Sequence, residues 1–129
     1  MEYGMAVRLP LRFADAVPRV REALAAQGFG VLTEIDVRET LRTKLDVDYP
    51  DYLILGACNP PLAHRALTVE PRIGLLLPCN VVVRADGDHT VVEALNPEVM
   101  VTVADREELA PVAEEATERL RAALAALAA

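Results

Sequence analysis

The sequence predicts an α+β fold: a mainly antiparallel β-sheet with helices packed on one side. Three observations carry this. Apolar residues recur with strand and helix periods in the order β-α-β-α-β-α-β-β-α. Asp86-Gly87-Asp88 lies between two apolar runs and reads as a hairpin turn, which makes the flanking strands antiparallel. Tyr52–Ala57 and Asn80–Ala85 carry apolar side chains on both faces, so they belong inside the sheet or under cover on both sides.

In chain order, Glu2–Leu9 reads as the first strand. Phe13–Gln27 reads as a helix with Val17, Val20, Ala23 and Leu24 on one face, Asp15 as its N-cap and Pro18 in its first turn. Gly28 is the stop, with Phe29 folding back on the last turn. Phe29–Ile35 is a strand with Phe29, Val31, Thr33 and Ile35 on one side. Asp36 caps a short helix, Glu39 completes a capping box, and Leu41 and Leu45 anchor it. After the loop Asp46–Asp51 and the strand Tyr52–Ala57, Asn59 caps a helix that has Pro60 at its first position and runs to about Val69. Glu70–Leu77 is read as a short helix ending before Pro78. The hairpin Asn80–Ala85 with Thr90–Leu95 follows, and Asn96-Pro97 opens another helical turn. Asp105 with Glu108 repeats the capping-box pattern ahead of a final helix, Leu109–Leu127, which Pro111 must kink or restart. Its apolar face is Val112, Ala116, Leu120, Leu124 and Leu127, supported by the Glu115–Arg119 pair.

The 129 residues read as a single domain, 1–129. At this length roughly two-thirds of the unfolded surface is buried on folding. Hydrophobic residues make up 53%, too many for a disordered chain, and with aromatics at 4% and no Trp the core must be aliphatic. The net charge of −7 opposes nucleic-acid binding, which needs a basic stripe to displace counterions. No apolar stretch spans a bilayer and no basic-plus-apolar leader opens the chain, so neither a membrane nor export is expected and the cytoplasm is the default. There are 12 Arg and one Lys, a thermophile-like bias that high-GC coding also produces. Two Cys in a reducing compartment are thiols, metal ligands or a redox pair rather than a structural disulfide.

Both Cys fall in short turns, each followed by Asn: Gly56-Ala57-Cys58-Asn59-Pro60-Pro61, with His64 beyond it, and Leu77-Pro78-Cys79-Asn80. Cys58, Asn59, His64, Cys79 and Asn80 therefore form one candidate ligand-binding set. Cys58 precedes a helix N-terminus, where free N–H groups and the dipole favour anions and thiolates. Cys58, His64 and Cys79 are also a weak metal set for Zn or Cu(I), but a closed zinc site wants four ligands and no CxxC or HxxxH occurs. The competing reading makes both Cys small buried hydrophobes and both Asn turn or cap residues. His89 sits exposed at the hairpin tip, and Glu34 with Asp36 could pair for acid–base work but has capping and solvation to explain it. Tyr49 and Tyr52 could edge a pocket or simply pack. No GxGxxG, P-loop, GxSxG or HExxH is present, which argues against the common nucleotide-binding, hydrolase and metalloprotease classes.

Three motifs in order resemble the bacterial and archaeal family called domain of unknown function 302. They are Gly28-Phe29-Gly30-Val31-Leu32-Thr33-Glu34-Ile35-Asp36, Leu55-Gly56-Ala57-Cys58-Asn59-Pro60, and Glu70-Pro71-Arg72-Ile73-Gly74-Leu75-Leu76-Leu77-Pro78-Cys79-Asn80-Val81. The resemblance covers nearly the whole chain. It implies a TATA-box-binding-protein-like fold, a curved antiparallel sheet with helices on one face, and it implies no activity. It also implies that the glycines and the Asn-Pro turn persist while the Cys positions vary, which favours structure over metal chemistry.

The expected function is a small cytoplasmic homodimer that binds a small ligand or partner without chemistry and without a cofactor. Alternatives are a thiol-based enzyme or metal-handling protein using Cys58, Cys79 and His64, and a purely structural or assembly module.

Overall fold

The computed structural model describes residues 2–129. Five antiparallel strands form one sheet: β1 (Gly4–Leu9), β2 (Gly30–Asp36), β3 (Tyr52–Cys58), β4 (Cys79–Asp86) and β5 (His89–Leu95), in the spatial order β1-β5-β4-β3-β2. Five helices accompany them: α1 (Phe13–Ala26), α2 (Val37–Leu45), α3 (Pro60–Val69), α4 (Glu98–Ala104) and α5 (Ala110–Ala128). The predicted α+β class and element order are both present. No helix of the described residues is long and apolar enough to cross a membrane.

Cross-strand register sorts the side chains onto two faces. Val7, Val92, Val83 and Leu53 lie in one row, and Met5, Ala94, Val81 and Leu55 in the next. These rows meet Val20 and Leu24 of α1 and Leu120 and Ala123 of α5 in the larger core cluster. α1 and α5 also pack on each other. Removing a residue such as Leu55 or Leu120 from water is worth about 1.5–3 kcal/mol, and aliphatic rows of this kind supply what the missing aromatics do not.

A smaller cluster stands beside it. Leu62 and Ala66 of α3, Ile73 of the 3-10 turn Pro71–Leu76, Met100 of α4, and Leu109 with Val112 at the start of α5 form it. The two cores share a seam where β3 runs into α3.

Local chemistry explains most boundaries. α1 ends in a Schellman motif: Phe29 N–H donates to the Leu24 carbonyl and Gly28 N–H to the Ala25 carbonyl, both at 3.0 Å. Gly28 takes φ 83°, a conformation that costs glycine nothing. Phe29 then folds into the core next to Leu24. Asp36 Oδ1 accepts the Glu39 N–H at 2.9 Å, which is half of a capping box; the Glu39 carboxylate faces Thr43 instead. Gly87, with φ 63°, occupies the first central position of the two-residue hairpin loop between Asp86 and His89.

Several expectations need correction. β1 starts at Gly4, and the N-cap of α1 is Arg12, with Asp15 inside the first turn and Pro18 further inside the helix. At that interior position Pro18 forgoes the hydrogen bond to the Ala14 carbonyl and crowds that carbonyl with its ring. β2 does not keep one face. A register shift between Val31 and Thr33 leaves Val31 opposite Ala57 on the core side while Thr33 and Ile35 oppose Gly56 and Ile54 on the other. One extra residue reverses the alternation that period-two reading assumes. Leu45 does not anchor α2; it is 66% exposed, and α2 buries no residue. Asp105 is not a cap for α5. It ends α4 in the left-handed region, and Glu108 is held by Arg106, whose guanidinium also binds Glu70 and the Val69 carbonyl. Of the two outcomes expected at Pro111, the restart is the one observed: a 3-10 turn ends at Leu109 and α5 begins at Ala110 with Pro111 in its first turn.

The sheet face away from α1 and α5 carries Ile35, Ile54 and Val82, with Tyr52, Arg84, Val91 and Arg8 in the neighbouring row. Arg84 pairs with Glu93 at 3.0 Å across it. Ile35 is 50% exposed.

Candidate functional site

The seam between the two cores is an apolar cavity of about 310 Å3. β3 delivers Ala57 and Cys58 to its wall, and the chain turns at once through Asn59 into α3, whose Leu62, Ala63 and Ala66 continue the wall. β4 begins with Cys79 beside Ala57, its register partner, so both thiols line one space. Phe29, placed by the α1 stop signal, and Met100 and Val112 from the second core close the inner side. Leu32, the extra residue of the β2 register shift, and Leu67 are exposed at the margin.

Asn59 is the pivot. It is buried, its Oδ1 accepts the Leu62 N–H at 3.3 Å, and it thereby caps α3. Its Nδ2 donates to the Gln27 carbonyl at 3.5 Å, and Arg119 Nη1 donates to the same carbonyl at 3.2 Å. Arg119 also holds Glu115, which binds Arg65 of α3. The end of α1, the start of α3 and the middle of α5 are thus tied together behind the cavity. Gly28 belongs to this arrangement for a second reason: a Cβ there would lie 3.0 Å from Asn59 Nδ2.

Both cysteines are free. Burial, and secondarily the neighbouring Cys58, push the Cys79 thiol up to about 11. At neutral pH Cys79 is therefore a protonated, poorly nucleophilic group.

The structure brings together Cys58, Asn59 and Cys79 and separates the other two candidates from them. His64 is exposed on α3 and outside the cavity; five positions past the cap put it on the solvent side, between the buried Leu62 and Ala66. Asn80 is the register partner of Gly56 and points to the opposite sheet face, beside Tyr52 and Val82. Strand alternation makes this unavoidable once Cys79 faces the core. The soft-metal set Cys58, His64 and Cys79 is accordingly not assembled, and among the described residues no three His, Cys, Asp or Glu side chains converge. Leu77 contributes to the cavity, whereas Leu76 packs into the second core. Glu34 pairs with Arg21 at 2.8 Å, and Asp36 is committed to its cap. Tyr49 and Tyr52 meet edge-on, with centroids 6.1 Å apart, away from the cavity. At the hairpin tip His89 Nδ1 lies 2.7 Å from Asp88, whose carboxyl is held below its usual range by that hydrogen bond.

Sequence reasoning did not find Phe29, Met100 and Val112 as wall residues. Phe29 was legible as a residue folding back on α1. Nothing local marks Met100, which reaches the seam only through the packing of α4 on α5 and on the 3-10 turn; Val112 is legible as part of the apolar face of α5 and reaches the seam through the packing of α5 on α3.

Fold and site define a class: an α+β domain of one antiparallel sheet with an apolar cavity set between two cores. Within that class the family is shown directly, since residues 5–127 match the family described as Domain of unknown function DUF302, and the chain belongs to it. It is similar to a crystal structure described as an uncharacterized conserved protein DUF302 from Bacillus stearothermophilus, at 29% identity and a TM-score of 0.91. That likeness covers 98% of this chain and 99% of the other. No curated protein matches the chain.

Proposed function

We propose that this protein is a non-catalytic, cytoplasmic domain that binds a small molecule in the cavity between its two cores and works as a homodimer. The observation that carries the reading is the cavity: about 310 Å3, walled by apolar side chains, with one buried amide at Asn59. Ligand sites have this size and this mixture of apolar wall and sparse polar groups. Thiol catalysis has less support, because Cys79 is held protonated and no imidazole stands beside either sulfur. Two free thiols suit a reducing compartment.

The homodimer reading rests on the uncovered sheet face. Ile35, Ile54 and Val82 form an apolar row there, and β2 at the sheet edge is exposed with only one strand neighbour. An isologous contact would set the same patch of a second copy against it.

The test is native mass spectrometry of protein purified gently from its own host. A dimer carrying a stoichiometric small-molecule increment is the expected result. A bare mass, together with no thermal stabilisation by any member of a small-molecule collection, would remove the ligand-binding reading. A monomer at micromolar concentration would remove the dimer.

A further inference from the structure

Resting on the ligand-binding reading above, we propose that the cavity holds the alkyl chain of a single-chain amphiphile, about eight to ten carbons long, whose polar head stays in water at the mouth and is not itself recognised.

The wall matches carbon. None of the lining residues is Arg, Lys, His, Asp or Glu, and their polar side chains are Asn59 and two thiols. The Asn59 amide is committed behind the wall: Oδ1 accepts the Leu62 N–H, and Nδ2 is turned to the Gln27 carbonyl. The thiols are weak in both hydrogen-bonding roles. Apolar surface is therefore what the interior offers a ligand.

The cavity has two unlike ends. Phe29, Met100 and Val112 close the inner one. The outer one opens to solvent at Leu32 and Leu67, which are 68% and 41% exposed. A ligand that ended inside would leave both leucines in water. A chain that runs out past them covers them, and its polar end emerges where it keeps its hydration. Desolvation thus sets the orientation, head outward, whatever the charge of the head. Glu34 and Arg65, each two residues from one of these leucines, already pair with Arg21 and Glu115 at 2.8 and 3.1 Å, so neither is free to select a head by charge.

Length follows from volume. A water-sized portion of liquid occupies ~30 Å3 and a methylene is of similar size, so 310 Å3 holds roughly ten such groups. A single aliphatic side chain from a partner protein would leave most of that space empty.

The experiment is an NMR titration of the full chain at neutral pH with butanoate, hexanoate, octanoate, decanoate and dodecanoate, and with octyltrimethylammonium and 1-octanol, all below their micelle concentrations. Binding is expected to shift the methyls of Ala63 and Ala66 in the wall and of Leu32 and Leu67 at the mouth. Affinity should rise about fourfold per added methylene up to octanoate and level off beyond decanoate, where further carbons reach water. The three eight-carbon chains should bind within about tenfold of one another, because their heads stay hydrated. In bound octyltrimethylammonium the chain's terminal methyl should contact Ala66 and Val112, and the ammonium methyls should not. Leu32→Ser combined with Leu67→Ser, at exposed positions that folding tolerates, should lower octanoate affinity about tenfold. Affinity that does not climb with chain length, a preference of more than about tenfold for one head, ammonium methyls in contact with the inner wall, or unchanged octanoate affinity in the double variant would each overturn the inference and leave the ligand-binding reading standing. The first three are read on the native chain and do not depend on the variant. No saturable shift with any probe overturns the inference too, and the ligand-binding reading then rests on the mass spectrum of host-purified protein.

Discussion

Gly56 is buried on β3 at a point where two other segments close over the sheet. A Cβ built there collides with Thr33 Oγ1 and meets Pro78 Cγ at 2.8 Å. Gly56→Ala therefore demands that both neighbours move. Thr33 is exposed and can rotate about χ1, at a cost of about 0.5–1.5 kcal/mol if it leaves its rotamer. Pro78 has a closed ring and no rotamer to leave, so its share is a backbone shift, and overpacking of this kind costs typically 1–3 kcal/mol. Gly56 does not have positive φ, so Ala brings no dihedral strain and recovers about 0.5–1 kcal/mol of the entropy that glycine loses on folding. The net expectation is a loss of about 2 kcal/mol. Urea denaturation followed by circular dichroism measures it: with a slope of about 2 kcal/mol/M, the midpoint falls by roughly 1 M. Adding Thr33→Ala should restore about half of the loss, because it removes the closer contact and leaves Pro78 in place. A Gly56→Ala protein as stable as the parent would refute the steric argument, and so would a double variant whose effects merely add.

Two further predictions follow from the cavity wall. Cys79 ionises near 11 in the folded chain against 9.0 for an unperturbed thiol, so between those values the unfolded chain has lost a proton that the folded chain keeps. Stability is then complete below pH 9 and falls as pH rises towards 11, by an amount of order 2–3 kcal/mol; Cys79→Ala should flatten this alkaline limb in pH-dependent denaturation, and an unaltered limb would show another group at work. Asn59→Ala loses the α3 cap and strands the Leu62 N–H, which should cost about 1–2 kcal/mol by thermal or urea unfolding, whereas Asn59→Ser should cost only a few tenths; equal losses for the two would assign the effect to something other than capping.

Much of the architecture could be read from single residues whose chemistry acts locally. Gly28 stopping α1, Asp36 and Asn59 as caps, and Gly87 in the hairpin each satisfy a backbone group within a few positions. What failed depends on distance. The parity of β2 turns on a register shift that only its pairing with β3 reveals. Asp105 and Glu108 have the spacing of a capping box, yet Arg106 between them finds Glu70 from another segment and takes Glu108 with it. The candidate site was legible in part for the same reason. Cys58-Asn59 and Cys79 sit at adjacent strand ends, so pairing β3 with β4 brings them together. His64 and Asn80 were included for nearness in sequence, and helix and strand periodicity turn both away.

The seam stays open because small residues line it from several elements: Ala57 on β3, Ala63 and Ala66 on α3, and Gly74 in the 3-10 turn. Nothing in the backbone demands this. Ala63 is half-buried in a helix that would favour Leu about equally, and Gly74 has neither positive φ nor any atom within 4 Å of an added Cβ. A sequence shaped for stability alone would fill such space, since cavity-filling substitutions commonly add about 0.5–2 kcal/mol. Ala63→Leu should therefore raise the unfolding midpoint while it removes small-molecule binding in the cavity. Opposite signs in the two measurements are what a retained binding cavity requires. If the substitution instead lowers stability, the wall is already packed to its limit and the space is not available to a ligand.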